Sequence, residues 1–456
     1  MEEAEDHPIS RPLGTTEQSW VRGVRGGTGI TVLALLLSSP PDLFLLKTAI
    51  HKLQNSHPIL RSSLSSTSVV THPPSPSLHP EIESYPLAST SDLLLSAPDP
   101  PHLSPLHLLL QRELNRNSWS NSDPAPVLFA THYELTDSKS ALLLRLHTVA
   151  CDRTSAVAVL KELPEMLRGG GAEWDEGKSP CLAVESLIPA GRGDKPFWAR
   201  GVDLVGYSLN TMRWSHLEFQ EPESPRRSEV IRLQLGKEET HTILEGCKQR
   251  GIKLCGAIAA AGLIAAHSSN KSNRLDHTQI ENYSIVTLID CRKVLDPVLH
   301  DHNLGFYHSA ILNTHGISEG EKLWDVALRC YAALSHSIDT DKHFKDMGDL
   351  NFLMCKAMDN PGLTPSSSLR TSFMVLFEDP VVEDGSPELC AGLGLEDYLG
   401  CSSIHGVGPS IAVFDTIRDG RLDCACVYPS PLHSREQMTN LVDDMKKILL
   451  TGGESS

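Results

Sequence analysis

Hydrophobic and polar positions along the chain keep two periods, and each switch between them marks a boundary. After Asp42, an N-cap by residue type, Leu46, Ala49, Ile50 and Leu53 follow the i, i+3, i+4, i+7 rule. They predict one helix with a single apolar stripe, ending before HPILRSSL. Residues 65–105 lose both periods and gain Ser and Pro, so irregular connections around short strands are expected there. Residues 127–135 and 141–149 read as two strands of a hairpin turned by Thr136, Asp137 and Ser138. Past HTVACDR the period becomes helical through Ala156, Leu160, Leu163 and Leu167, so strand, loop and helix succeed one another around Asp152.

Residues 168–228 hold no sustained period and are rich in Gly, Pro and charge, which predicts a crossover. The pattern restarts with Ile231, Leu233 and Leu235, then predicts helices near 238–250 and 255–267, the second alanine-rich and buried on most sides. Strands follow at about 283–289, 305–312, 371–378, 409–417 and 421–428. Capping boxes at Ser318/Glu321 and Ser434/Gln437 open two further helices. Hairpins mixed with helices, without regular βα alternation, point to α+β layers with mixed sheets rather than a doubly wound parallel sheet. The expected organisation is an N-terminal half (1–170), a crossover (171–224) and a C-terminal half (225–456).

Composition narrows the function. With 40% hydrophobic and 21% charged residues the chain is of globular type. Its net charge of −17, with no basic run interleaved with aromatics, argues against nucleic acid. The early apolar run 30–37 is too short for a membrane span, and the acidic start MEEAEDH lacks a signal peptide's positive flank, so a cytoplasmic protein without a membrane span is expected. Eleven cysteines scattered through apolar runs suit reduced core thiols. The CxC pair Cys424 and Cys426 has no partner pair, and no metal site is expected.

The motifs GxSxG, GxxxxGK[ST], HExxH and GxGxxG are absent, and the glycines of GGTG at 26–29 follow no apolar strand and read as a turn. One stretch stands out: LLLRLHTVACDRTSAVAVLKEL, 142–163, with a His and an Asp five residues apart at a strand-to-helix junction. It resembles the HHxxxDG region of the CoA-dependent acyltransferase superfamily, which includes condensation domains, wax ester synthases, polyketide-associated acyltransferases and BAHD transferases. Other segments resemble the same superfamily in order: RPLGTTEQSW its opening LGxxE, LLKTAIHKLQNSHPILRSSL its helix into RHPxLR, RGIKLCGAIAAAGLIAA its second-half core helix, TLIDCR its VDLR strand, and NLGFYHSAIL the strand after it. The BAHD segment DFGWG has no close match, the nearest being SSIHGVGPS at 402–410, and the glycine-led ending with its terminal helix looks closer to condensation domains and wax ester synthases. The resemblance implies two chloramphenicol-acetyltransferase-like halves, mixed sheets flanked by helices, and a channel between them.

Within the motif, His147 matches the first His and Asp152 the Asp, while Thr148 stands where the family carries its second His, the general base, and Arg153 stands for the Gly. A threonine hydroxyl is no substitute, because its pKa lies far from the working range and its lone pairs are far less basic than an imidazole's. His147 follows its strand's alternation and should face away from Thr148, as a core histidine or as a displaced base. The resemblance implies that Asp152 pairs with an arginine, for which Arg292 is the candidate, and that the pair holds the junction in shape. His302, His308 and His405 come from segments that border the channel in the resembled fold and could supply an imidazole.

Three functions remain open from sequence. The first is a stand-alone, monomeric acyl-CoA-dependent acyltransferase making an ester or amide on a small-molecule acceptor, with no bound cofactor and acyl-CoA as co-substrate. The second is a catalytically degenerate binding or interaction protein of the same fold. The third is a non-acyl reaction, such as an elimination, on one oriented substrate.

Overall fold

In the computed structural model, which describes residues 8–38, 42–73, 81–96, 103–169, 181–196, 198–201, 214–270, 280–364, 368–383 and 394–454, the chain divides into two units. Unit 1 takes the described residues of 1–187, 295–307 and 385–403, and unit 2 those of 188–294, 308–384 and 404–456. Much of the expected crossover, 171–180, 197 and 202–213, lies outside the described residues. Each half is α+β, a mixed sheet flanked by helices, as the two hydrophobic periods predict.

Unit 1 carries β1 (Ile9–Pro12), β2 (Thr28–Leu37), β3 (Ser62–Leu64), β4 (Ser68–Thr71), β5 (Ile82–Tyr85), β6 (Ala125–Pro126), β7 (Leu128–Thr136) and β8 (Lys139–His147). Strands β1, β4, β3 and β6 form a small sheet. The main sheet runs β14-β2-β8-β7-β5, where β14 (Leu395–Ile404) arrives from far along the chain. Its pairs are antiparallel at β2/β8 and β7/β8 and parallel at β5/β7. Strand β2, TGITVLALLL, is buried along nearly its whole length because both faces are covered, which is why it lacks alternation. Leu33, Leu35 and Leu37 face the main cluster with helix α2 (Leu43–Ser56), whose stripe Leu46, Ala49, Ile50 and Leu53 is fully buried. The Asp42 side chain caps α2 by accepting from Phe44 N–H at 3.1 Å.

Unit 2 carries β9 (Arg227–Gln234), β10 (Glu281–Asp290), β11 (His308–Ile317), β12 (Arg370–Phe377), β13 (Val381–Glu383), β15 (Gly408–Arg418) and β16 (Arg421–Ser430). Its sheet runs β11-β10-β12-β15-β16-β9, with β13 on β15, and mixes antiparallel outer pairs with parallel β10/β12 and β12/β15 pairs. The alanine-rich helix Leu254–Asn270 is buried on most sides and packs against the helices Leu323–Asp339 and Arg435–Glu454. The ten described cysteines are thiols, and Cys424 and Cys426 belong to this core two residues apart on β16. No single helix among the described residues is long and apolar enough to cross a membrane.

Three elements differ from the sequence pattern for local reasons. Segment 65–105 contains a helix, Leu87–Leu95, and the next helix, Pro105–Leu114, starts at its edge; Ser104 accepts from His107 N–H, and proline sits at the first turn, where its missing N–H costs nothing. The helix expected from Ser318 begins at Leu323. Glu321 does accept from Ser318 N–H at 2.9 Å, but Gly320, at φ +77°, turns the chain before the helix can form. The strand expected at 305–312 begins at His308, because residues 304–307 belong to unit 1.

A buried charge pair braces the unit 1 sheet. Arg145 on β8 and Glu113 are 2% and 0% exposed, with Nε and Oε2 in ion-pair contact at 2.7 Å. Tyr133 donates to the other carboxylate oxygen at 2.6 Å, and Arg145 Nη1 donates to the Arg116 carbonyl and Ser118 Oγ. Glu113→Ala leaves the guanidinium buried without its counter-charge and should lower unfolding stability by roughly 3–5 kcal/mol. Urea denaturation measures this, and a loss below ~1 kcal/mol would contradict the bracing role.

Candidate active site

The strand β8 ends at His147, and the next four residues turn tightly into helix α5 (Arg153–Leu167), with Ala150 N–H on the His147 carbonyl and Cys151 N–H on the Thr148 carbonyl. Asp152 is the N-cap. Its Oδ1 accepts from Ser155 N–H at 2.9 Å and its Oδ2 from Tyr307 N–H at 2.9 Å, while its own N–H donates to the Gly305 carbonyl at 3.1 Å. Ser155 Oγ completes the stitch, donating to the Gly305 carbonyl and accepting from Gly305 N–H. A carboxylate at a helix start, facing N–H groups, is in its most favourable backbone setting. Gly305 has φ +150°, and a Cβ there would meet the Tyr307 ring at 2.8 Å, so this close approach needs glycine.

Thr148 is 5% exposed and turned toward β2. Its N–H and its hydroxyl both donate to the Gly29 carbonyl, at 3.2 and 2.5 Å. The hydroxyl hydrogen is thus committed, and the oxygen lies 3.4 Å from Thr31 Oγ1, which in turn lies 2.9 Å from Ser402 Oγ on β14. Ser403 Oγ accepts from Ile30 N–H at 3.0 Å and fastens the same strand. Gly29 opens β2 at φ +96°, where a Cβ would meet Thr148 Oγ1 and Trp20 at 2.9 Å. The GGTG glycines therefore divide: Gly26 and Gly27 make the expected turn, and Gly29 lets the threonine reach the strand. Trp20 meets Phe306 at a tilt, ring centroids 5.2 Å apart, so residues of three resembling segments, RPLGTTEQSW, HTVACD and NLGFY, meet at this junction.

His147 is 1% exposed and packs edge-on against Trp119 at 5.4 Å. Its Nδ1 accepts from Val149 N–H at 3.1 Å, which leaves the ring proton of the neutral form on Nε2. Burial, helped by the distant Arg25 charge, pushes its pKa down to about 3. The lone pair a base would use is already engaged.

His302 is exposed beside His300. In unit 2, Arg292 donates to Asp290 Oδ1 at 3.0 Å, and His308 starts β11 with its ring edge-on to Phe377. His405 shares a 3.0 Å hydrogen bond with Ser228 Oγ, and burial next to the Arg370 charge holds its pKa down at about 4. His308 abuts Phe377 at the end of β12 and His405 feels Arg370 at its start, seven residues or about 23 Å of strand away, so one site cannot use both. Among the described residues no three His, Cys, Asp or Glu side chains converge as a metal-binding set.

Thr31, Ser402, Ser403 and Tyr307 were not marked by sequence. A threonine inside the apolar run of β2 was the available signal for the first; the serines precede a loop with no periodic cue. The assembled group offers hydroxyls and backbone dipoles for holding a polar ligand, and no unengaged basic nitrogen at the motif.

No known sequence family matches the chain, and no curated protein matches it. Solved structures do. The chain is similar to the trichothecene 15-O-acetyltransferase from Fusarium sporotrichioides, at 11% identity and a TM-score of 0.67 over 98% of this chain and 96% of that one. It is similar to the NRPS cyclization-docking bidomain from Sorangium cellulosum, at 14% and 0.67 over 99% and 86%. It is also similar to polyketide synthase associated protein 5 from Mycobacterium tuberculosis, at 16% and 0.60 over 95% and 97%. At such identities the likeness is one of fold: the chain has the condensation-domain and acyltransferase fold.

Asp152→Ala removes the cap, costing ~0.5–2 kcal/mol, and strands the Tyr307 N–H, costing about 1–3 more. A total loss of roughly 2–4 kcal/mol is expected in urea unfolding. A loss under ~1 kcal/mol would show that the carboxylate does not hold this junction.

Proposed function

We propose that this protein transfers an acyl group from acyl-CoA to a small-molecule amine that is nucleophilic without help, relying on positioning in place of an imidazole base. The observation that carries the reading is the engagement of both motif side chains: Thr148 gives its hydroxyl hydrogen to Gly29, and His147 gives its Nδ1 lone pair to Val149 N–H. A general base is worth ~10²–10⁴-fold, while holding two reactants in attack geometry can lower a barrier by roughly 7–11 kcal/mol, so positioning alone suffices for an unprotonated amine. An alcohol gains too little, since its proton must leave as the bond to the acyl carbon forms. The fold supports the acyl-transfer class, and the intact Asp152 stitch supports a junction still built for it.

The same observation supports a second reading: a binding protein that keeps the fold without turnover. Thiol release from acyl-CoA separates the two. The transferase reading expects free CoA with amine acceptors and little with alcohols. Binding of acyl-CoA without thiol release from any acceptor would leave the second reading in its place.

Thr148→His should extend acyl transfer to alcohols by one to several powers of ten, because it returns a base to the motif position. The new ring must displace a buried hydroxyl bonded to the Gly29 carbonyl, so overpacking of ~1–3 kcal/mol is expected and is read first from melting curves. A folded variant that binds acyl-CoA and gains nothing with alcohols would show that the missing base is not what limits the protein.

A further inference from the structure

In unit 2, the start of β12 holds a wholly buried arginine. Arg370 is 0% exposed, and its guanidinium donates only to backbone carbonyls: Ser368 from Nε, Ile404 and Pro409 from Nη1, and Gly406 from Nη2. Among the described residues no acidic side chain is in ion-pair contact with it.

Its charge bears on a row of three tilted rings. Phe219 lies between His216 and His433, with centroids at 5.8 and 5.6 Å. His433 is 0% exposed, and among the described residues neither ring nitrogen of His433 or of His216 makes a hydrogen bond. Gln437 and the Glu218 carbonyl sit close enough to His433 to favour its charged form slightly, but burial and the Arg370 charge outweigh them. Of the other charged and titratable groups, His405 before β15 and Arg226 of the strap both bear on Arg370, and Glu229 of β9 is taken up by Tyr428, Arg227 and Arg435. The strap's own Glu218, Glu221 and Glu223 are exposed.

The strap 214–226 that carries His216 and Phe219 has no helix or strand of its own and is fastened by hydrogen bonds, among them Arg226 Nη1 donating to the Ser368 carbonyl at its far end. Ser215 N–H donates to the Asn282 carbonyl, Gln220 N–H to the Leu432 carbonyl, and Asn270 and Gln437 donate to the carbonyls of His216 and Glu218. Trp214 and Leu217 add buried apolar surface.

We propose that the His216–Phe219–His433 row is an acid-released latch, holding strap 214–226 on unit 2 while both imidazoles are neutral and releasing it as they take up protons. The sign follows from the environment. In the closed state His216 stays neutral down to about pH 4 and His433 down to about pH 3, both chiefly through burial and then through Arg370. Once the strap opens, both rings meet water and titrate near the ordinary 6.5. Closure is therefore at full strength above pH 6.5 and is lost progressively as the pH falls toward 4. One proton taken up per imidazole makes opening about 30-fold more favourable at pH 5.0 than at pH 7.5, and two make it roughly 10³-fold.

Hydrogen exchange of the full chain, read by mass spectrometry at both pH values and corrected for intrinsic exchange, tests the latch. Peptides from 214–224 should lose protection by roughly 10³-fold at pH 5.0, while those from the helix Leu254–Asn270 stay protected. His216→Asn, at a half-buried position, should cut the change to about 30-fold, and His433→Asn, where it folds, should do the same. Strap exchange that ignores pH, a gain that His216→Asn leaves intact, or a strap that opens only together with Leu254–Asn270 would overturn the proposal.

Discussion

A carboxylate that accepts two backbone N–H groups organises the motif region. Asp152 Oδ1 starts helix α5 and Oδ2 fixes Tyr307, so one buried side chain sets both the direction of the helix and the position of the 304–307 turn. The cost of burying that charge is offset by N–H dipoles aimed at it and by the helix start. Gly305 and Gly29 are consequences of the same constraint: each is a place where backbone must come closer than a Cβ would allow. With the junction held in this way, Thr148 has one natural partner, the Gly29 carbonyl, and takes it with both of its donors.

That bond decides the chemistry available. An imidazole at the motif position would need a lone pair directed at the acceptor; a hydroxyl that donates into the backbone has neither the basicity nor the direction. Strand alternation separates His147 from the same face, and its Nδ1 is occupied by the main chain two residues on. The condensation-domain and acyltransferase fold is therefore present with a hydrogen-bonded row of hydroxyls, Thr148, Thr31 and Ser402, at this junction.

Local signals were read well from sequence and distant ones were not. The stripe of α2, the 128–147 hairpin, the Ser434/Gln437 cap, with Gln437 N–H on Ser434 Oγ at 3.1 Å, and the alanine-rich helix all follow from contacts within a few residues. Strand β14 was missed because LEDYLGCSSI has no clean alternation; it is a strand because β2 pairs with it, and that pairing joins residues more than 360 positions apart. Thr31, Ser402 and Tyr307 entered the site for the same reason: their roles exist only once remote segments meet. The position of Thr148 was legible, since it stands at a defined spacing from Asp152 in the strand-to-helix stretch. Its hydrogen-bonded partner was hidden, because a backbone carbonyl leaves no mark in sequence.

The central claim is that no protein group serves as base at the motif, so the acceptor must bring its own free electron pair. The pH dependence of acyl transfer to two amines of clearly different basicity tests this most directly. If the claim holds, the rising limb of rate against pH moves with the pKa of each amine, because only the acceptor's ionisation limits attack. A limb that stays in the imidazole range, near 6.5, for both amines would contradict it and reveal a titrating base on the protein.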